Sequence, residues 1–194
     1  MPSSTQLRGF WHEPEGTPTS KAIALKEWVL AAHDILTDVA GTYQAVIRHA
    51  ELAEQVQERS SIRTSQDQRN WIGGVLGPVV HLCHRSGEPP LTALVVRKHD
   101  GQVGEGYDEV LSVAGLRHLT DPVAREKHAA QSRLECYRWA GSAPVDGGEA
   151  VLAVAATRAK VVRERRPAKV DVPVLTCPRC FMALPSTGVC DTCD

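Results

Sequence analysis

The feature that most constrains this chain is a pair of Cys-X-X-Cys motifs within its last eighteen residues. Cys177 and Cys180 form the first motif, and Cys190 and Cys193 form the second after nine intervening residues. Two thiolates at this spacing reach one cation, and a second pair completes the tetrahedral shell of a structural Zn²⁺. So short a segment buries too little apolar surface to fold without metal. The motifs therefore predict a zinc knuckle over 177–194; the alternative is two disulfides or one redox-active pair.

Length and charge limit the remainder of the chain. With 194 residues and 42% hydrophobic content, the chain can form one ordinary core and carry a small appendage. The net charge of -1 argues against coating nucleic acid through bulk charge, although a local basic patch is compatible with it. No apolar run approaches the roughly 20 residues of a membrane span, and the first residues lack a signal-peptide pattern. We therefore expect a cytoplasmic protein with no membrane partner.

The first half of the chain is predicted to be helical after a flexible lead. Residues 1–19 are rich in proline, glycine, serine and threonine and have no apolar period. Ser20 is a plausible N-cap for a helix that ends near Gly41. A second helix can start at Thr42 and carry apolar residues through Val56, and it either runs through or breaks near Arg48-His49. A third is expected over Ser65–His84, with a kink or break at Pro78.

The second half of the chain no longer has continuous helical spacing of apolar residues. Leu91–Val96 is predicted as a buried strand, Arg97–Gly101 as a hairpin-like turn, and the glycine-rich stretch to Tyr107 as a wing or loop. Pro122–Trp139 returns to a helix. The predicted organisation is an α+β domain over 20–141, mainly helical, then a linker with a basic helix over 142–176, then the knuckle.

Three helices followed by a strand and a glycine-rich turn is the order of a winged-helix domain. Four segments resemble, in chain order, parts of the alkylguanine-DNA alkyltransferases and their catalytically silent alkyltransferase-like relatives. Val46–Glu54 resembles the family's Tyr-Gly-Glu-Leu-Ala helix start, and Asn70–Leu76 resembles its recognition helix. Leu91–Val96 resembles its strand, and Asp100–Tyr107 resembles its wing. The resemblance covers roughly residues 42–140 and implies a DNA-binding fold.

The departures from that family bear on activity. The family's acceptor cysteine corresponds to a position within Thr92–Val95, where this chain has no thiol. His49 stands where the family has the tyrosine that helps turn a base out of the duplex, and Asn70 where it has an arginine. Cys83 begins a Cys-His-Arg sequence like the family's motif, but it precedes the strand; we expect Cys83 and Cys136 to be buried thiols. The resemblance therefore implies binding without alkyl transfer.

On a winged helix, the third helix enters the major groove and the wing touches the backbone. Arg69, Asn70, Arg97 and Lys98 are accordingly the predicted contacts to duplex DNA. The predicted function is non-enzymatic DNA binding, regulatory or otherwise. The first alternative is a protein-interaction module with a protein partner. The second is an enzyme or a subunit of a nucleic-acid-modifying complex, which no paired carboxylates, phosphate loop or catalytic triad supports.

Overall fold

The structure, a computed structural model, describes residues 8–153, all within the unit Met1–Lys160. Over this range the fold is α+β, as predicted. The elements are β1 (Phe10–His12), β2 (Thr17–Thr19), α1 (Lys21–Ala40), β3 (Ile47–Arg48), α2 (His49–Ser60), β4 (Ile62–Thr64), α3 (Ile72–Ser86), β5 (Val95–Val96), α4 (Asp108–Val113) and α5 (Pro122–Trp139). None of the helices described is long and apolar enough to cross a membrane. The predicted linker with its basic helix, from residue 154 onward, and the four-cysteine motifs lie outside the described residues.

Helix α1 is the central element of the core. The Ser20 hydroxyl accepts a hydrogen bond from the backbone N–H of Ile23, at 3.2 Å, and the helix ends at Ala40 with Gly41 as its C-cap, which confirms the prediction. Its buried face contains Ala24, Trp28, Ala32, Ile35 and Leu36, spaced three and four residues apart. Both α2 and α3 pack against it.

The prediction of a flexible lead is wrong for residues 10–19. Strand β1 pairs antiparallel with both β2 and β4, so these residues form a three-stranded sheet. The anchor is Phe10, which is buried and whose ring centroid lies 5.8 Å from that of Trp28. One buried aromatic residue among turn-forming neighbours therefore orders a segment whose composition indicates flexibility.

Helix α2 begins at His49, so the chain follows the alternative with a break near Arg48-His49 and not a continuous helix from Thr42. Gln44 has a left-handed backbone with φ 64°, which interrupts any helix from Thr42. Ile47 and Arg48 form β3, and the Glu51 carboxylate accepts from the Arg48 N–H at 3.0 Å, which caps the new helix start.

Helix α3 begins later than predicted, at Ile72. Residues 62–64 form β4, and Gln68–Asn70 form a short 3-10 turn, in which the Asp67 carboxylate accepts from the Arg69 N–H at 2.9 Å. The helix continues through Pro78 to Ser86, so the proline does not end it.

The predicted strand Leu91–Val96 is a strand only in its last two residues. Leu91–Leu94 form a 3-10 turn, and β5 then pairs in parallel with β3, with Ile47 opposite Val95. The turn at Arg97–Gly101 is confirmed: the Gly101 N–H donates to the Arg97 carbonyl at 3.0 Å, and Gly101 has φ 69°. No second hairpin strand follows within residues 102–153; a 3-10 turn at Glu105–Tyr107 leads into α4.

Helix α5 spans Pro122–Trp139, as predicted, with the Asp121 carboxylate as its N-cap. The chain beyond it differs from the predicted linker, because residues 142–153 return to the domain. The Ser142 hydroxyl donates to the Ala40 carbonyl at 2.6 Å, and the Glu149 N–H donates to the Tyr43 oxygen at 2.9 Å. These contacts extend the folded unit past residue 141.

Candidate functional site

A pocket of about 290 Å³ opens between α3, β5 and the glycine-rich loop. This volume is near the lower end of the roughly 300–1,000 Å³ of typical small-molecule sites. The lining is mostly apolar, and four of its side chains carry polar groups. The lining residues are His49, Ile72, Gly73, Leu76, Gly77, Val80, Thr92, Val95, Val103, Gly104, Gly106, Tyr107 and Glu109.

Two glycines leave open space on the face of α3 that lines the pocket. Gly73 and Gly77 are one helical turn apart, and a Cβ added at either position would meet no atom within 4 Å. Leu76 and Val80 flank them on the same face. Each helical glycine costs about 1 kcal/mol of stability relative to alanine. The helix therefore carries two unfavourable residues at the positions where larger side chains would fill the pocket.

His49 forms a polar part of the wall at the start of α2. Its Nδ1 lies 3.1 Å from the backbone oxygen of Val96. A carbonyl oxygen can only accept, so Nδ1 carries the hydrogen and, in the neutral ring, Nε2 is left as an acceptor. The β3–β5 pairing thus fixes both the position of His49 and its tautomer.

Thr92 contributes a hydroxyl group that the fold leaves unpaired. Its Oγ1 is buried and has no hydrogen-bond partner within residues 8–153. A buried hydroxyl without a partner costs about 1–3 kcal/mol. An unsatisfied polar group at the wall of an apolar pocket is available to a ligand.

The far wall is the loop before α4, held in place by α5. The Tyr107 hydroxyl donates to Ser132 Oγ at 2.9 Å and lies 2.8 Å from His128 Nδ1. Burial raises the pKa of Tyr107 to about 12, so the phenol is neutral at physiological pH. The Glu109 carboxylate lies 2.8 Å from His81 Nε2.

The four predicted DNA contacts lie near the elements that form the pocket. Arg69 and Asn70 are exposed immediately before α3, and 90% of the Arg69 side chain is accessible. Lys98 is exposed in the turn after β5. Arg97 is half-buried and pairs with Asp100, with Nη2 and Oδ2 2.5 Å apart. The Arg97 guanidinium is therefore partly neutralised within the turn.

The two thiols in the described range are not part of this pocket. Cys83 and Cys136 are free and buried, as predicted. Burial raises the pKa of Cys83 to about 11, and it raises the pKa of Cys136 further still. A thiol that stays protonated and is shielded from solvent is a poor nucleophile. The Cys-His-Arg sequence at Cys83 is therefore part of a helix end, and its buried thiol does not line the pocket.

Sequence reasoning named several pocket residues only as parts of matched segments and missed Gly77, Val80 and Glu109. The four-residue spacing of Gly73 and Gly77 is the signal that would have indicated an open helix face. Comparisons with known proteins add no relative: no family model, no curated protein and no solved structure matches the chain.

Proposed function

We propose that this protein binds duplex DNA without catalysing a reaction and receives one base of the duplex in the α3 pocket. The observation that carries the proposal is that distant segments of the chain come together at the pocket. All four segments that resemble the alkyltransferase family line this pocket, and they supply every lining residue except Gly77, Val80 and Glu109. Segments separated by up to about fifty residues in sequence thus meet at this pocket. Such a meeting is expected if the chain and the alkyltransferase family have the same winged-helix-like arrangement.

The chemistry of the pocket suits a nucleobase. A base turned out of the duplex presents flat apolar faces and a polar edge, and sites that bind one combine apolar walls with a few hydrogen-bonding groups. Here Ile72, Leu76 and Val80 supply apolar walls. The imidazole of His49, the unpaired hydroxyl of Thr92 and the carboxylate of Glu109 supply polar groups of different donor and acceptor character.

The same pocket favours binding over reaction. The stretch that corresponds to the family's acceptor position contains Thr92, whose hydroxyl is a far weaker nucleophile than a thiolate unless a base activates it. No activating base is hydrogen-bonded to it within the described residues. We therefore assign the pocket to recognition of a base.

The surface beside the pocket supplies backbone contacts in this proposal. Arg69 and Asn70 precede the first turn of α3, and Lys98 lies in the turn that takes the place of the wing. Exposed cations at these positions would contact phosphates and set the orientation of the duplex. Arg97 is expected to contribute less, because it must first leave Asp100. The four C-terminal cysteines, with bound Zn²⁺, are proposed as a second, structural module.

The test fills the pocket without disturbing the helix. Gly77→Leu places a side chain in the open space, and the change should favour α3 by about 1 kcal/mol in helix propensity. The matched control is Gly74→Ala on the same helix, which does not line the pocket and whose Cβ would make ordinary contact with Leu25, at 3.6 Å. Fluorescence anisotropy should compare a paired duplex with the same duplex carrying one mismatched base.

We expect wild-type protein and Gly74→Ala to prefer the mismatched duplex, because an unpaired base costs less to extrude. Gly77→Leu should lose that preference while keeping salt-dependent binding to both duplexes. An unchanged preference in Gly77→Leu would show that the base does not enter the pocket. Failure of folded wild-type protein to bind either duplex at low salt would refute DNA binding itself.

A further inference from the structure

A second group of chemically versatile side chains lies where the end of α3 meets α1, and none of its members lines the pocket. His33, Cys83 and Glu88 each offer one ligand atom, and these three atoms lie within 4.8 Å of one another. The closest pair is His33 Nε2 and Glu88 Oε2, at 2.7 Å. An imidazole nitrogen, a sulfur and a carboxylate oxygen thus lie close enough together to share one ion.

The fold holds these three side chains on rigid supports. His33 is in the middle of α1 and Cys83 in the last turn of α3. Gly87 then adopts a left-handed backbone, with φ 68°, and the Glu88 N–H donates to the Cys83 carbonyl at 2.9 Å. This is the Schellman pattern of a helix C-terminus, and it directs the chain after α3 back over its own last turn. Glu88 is therefore fixed beside Cys83 by the backbone.

The environment of the cluster suits a bound cation. Cys83 is only 1% exposed, whereas the His33 and Glu88 side chains are each 20% exposed. A metal held here would have its sulfur ligand in the core and a remaining coordination position towards solvent. In addition, Asp34 Oδ1 lies 3.8 Å from His33 Nδ1, on the side where a metal-binding histidine commonly faces a carboxylate.

We propose that His33, Cys83 and Glu88 form a Zn²⁺ site in the folded domain, separate from the four-cysteine motifs and independent of the proposed DNA binding. Zinc is the ion that combines thiolate, imidazole and carboxylate ligands, with three protein ligands and one open position. On binding, the Cys83 thiol releases its proton to solvent as the Zn–S bond forms. The contact between His33 Nε2 and Glu88 is replaced by a bond from each to the metal, and the hydrogen that Nε2 donates to Glu88 is exchanged for one on Nδ1, which faces Asp34, so that the ring stays neutral.

This exchange also balances charge. One thiolate and one carboxylate neutralise the two positive charges of the ion, so the buried sulfur does not remain as an isolated anion. An ordinary cysteine thiol, with a pKa of about 8.5, carries its proton at neutral pH. Binding near neutral pH must therefore release close to one proton per metal ion.

The test requires the full chain with the C-terminal cysteines silenced, so that only one site remains. In this parent variant, Cys177, Cys180, Cys190 and Cys193 are all changed to serine. Titration with Co²⁺ should then give one equivalent of binding, a thiolate-to-cobalt charge-transfer band and release of close to one proton. Adding Cys83→Ala should remove the band. Because loss of an outer-shell partner alone typically weakens binding by about 10–100-fold, loss of this ligand should cost at least about 100-fold.

Two further variants test the site without changing the buried Cys83, whose substitution could disturb folding. His33→Gln and Glu88→Gln change partly exposed side chains, and each should weaken Co²⁺ binding while circular dichroism stays that of the parent. Cys136→Ala removes the other buried thiol and should leave the charge-transfer band in place. The proposal is overturned if the parent variant gives no charge-transfer band at millimolar Co²⁺, or if Cys136→Ala removes it.

Discussion

The guanidinium of Arg133 is bonded to the carboxylate of Glu126 inside the domain, with both side chains almost fully buried on α5. The two residues are seven apart and so lie on one face of the helix. Glu126 also accepts from the Val103 N–H at 3.3 Å and the Ala153 N–H at 3.2 Å. Because Val103 lines the pocket, this pair connects α5 to the pocket wall and to the last described residue.

Removing one partner of this pair should be strongly destabilising. Arg133→Met leaves the Glu126 carboxylate buried without its cation, and such changes typically cost about 3–5 kcal/mol. Urea denaturation should show a drop of this size in the free energy of unfolding. Pairing it with Glu126→Leu removes the stranded charge and should recover much of the loss. A drop below about 1 kcal/mol in the single variant would contradict a buried pair.

The unpaired hydroxyl of Thr92 leads to a second prediction. Thr92→Val removes a buried polar group that lacks a partner and should stabilise the free protein by about 1 kcal/mol. The same change should weaken recognition of the mismatched duplex. Thr64→Val is the control, because the Thr64 hydroxyl donates to the Gly9 carbonyl at 2.8 Å and its loss should be destabilising. Equal destabilisation by both changes would show that the Thr92 hydroxyl is satisfied.

We also predict that the protein does not accept alkyl groups. Cys83 and Cys136 are buried, with a raised pKa in both cases, and the stretch Thr92–Val95 contains no thiol. Intact mass measurement after incubation with a duplex containing alkylated guanine should show no adduct. A stoichiometric mass gain that Cys83→Ala abolishes would establish the enzyme alternative instead.

Two buried phenols predict how stability depends on alkaline pH. Burial raises the pKa of both Tyr107 and Tyr137 to about 12, from an ordinary value of 10. The folded state therefore holds the phenolic proton more tightly than the unfolded state, and this contribution is complete below pH 10 and is lost as pH rises to 12. Denaturation followed across that range should show progressive loss of stability. Tyr107→Phe should reduce the slope; an identical slope would argue against a buried Tyr107.

We predict that the four C-terminal cysteines bind one Zn²⁺ tightly. Elemental analysis of protein purified without added metal should lose one equivalent when Cys177, Cys180, Cys190 and Cys193 are changed to serine. Chelation of that ion should leave the α-helical domain folded, since the domain has its own apolar core. Zinc content that does not change on this substitution, with the four thiols oxidised in the wild-type chain, would support the disulfide alternative.

Local signals predicted the elements that have strong caps. Ser20 and Asp121 start α1 and α5 at the residues expected, because each supplies a side-chain oxygen to exposed N–H groups. The pattern left two starts open for α2, at Thr42 or after a break near Arg48-His49, and tertiary pairing selects the later one over local propensity. Ile47 reads as part of an amphipathic helix, yet it pairs with Val95, more than forty residues away.

Long-range contacts also explain why the pocket and the cluster of His33, Cys83 and Glu88 could not be predicted from the sequence. The pocket depends on an absence of side chains at Gly73 and Gly77 and on the arrival of Thr92 and Tyr107 from distant segments. Likewise, His33 and Cys83 are fifty residues apart, and only the packing of α3 on α1 brings them together. Sequence spacing detects ligand pairs within one turn, as in the Cys-X-X-Cys motifs, but not donors that meet through helix packing.

The most direct test of DNA binding is the salt dependence of affinity for a random duplex, measured by anisotropy from about 50 to 200 mM salt. Each phosphate contact contributes roughly 0.9 to the slope of log affinity against log salt. With contacts from Arg69 and Lys98, the account predicts a slope steeper than about -1.8, reduced by about 0.9 in either Arg69→Ala or Lys98→Ala. No binding by folded protein at about 50 mM salt, or a slope that neither substitution changes, would contradict it.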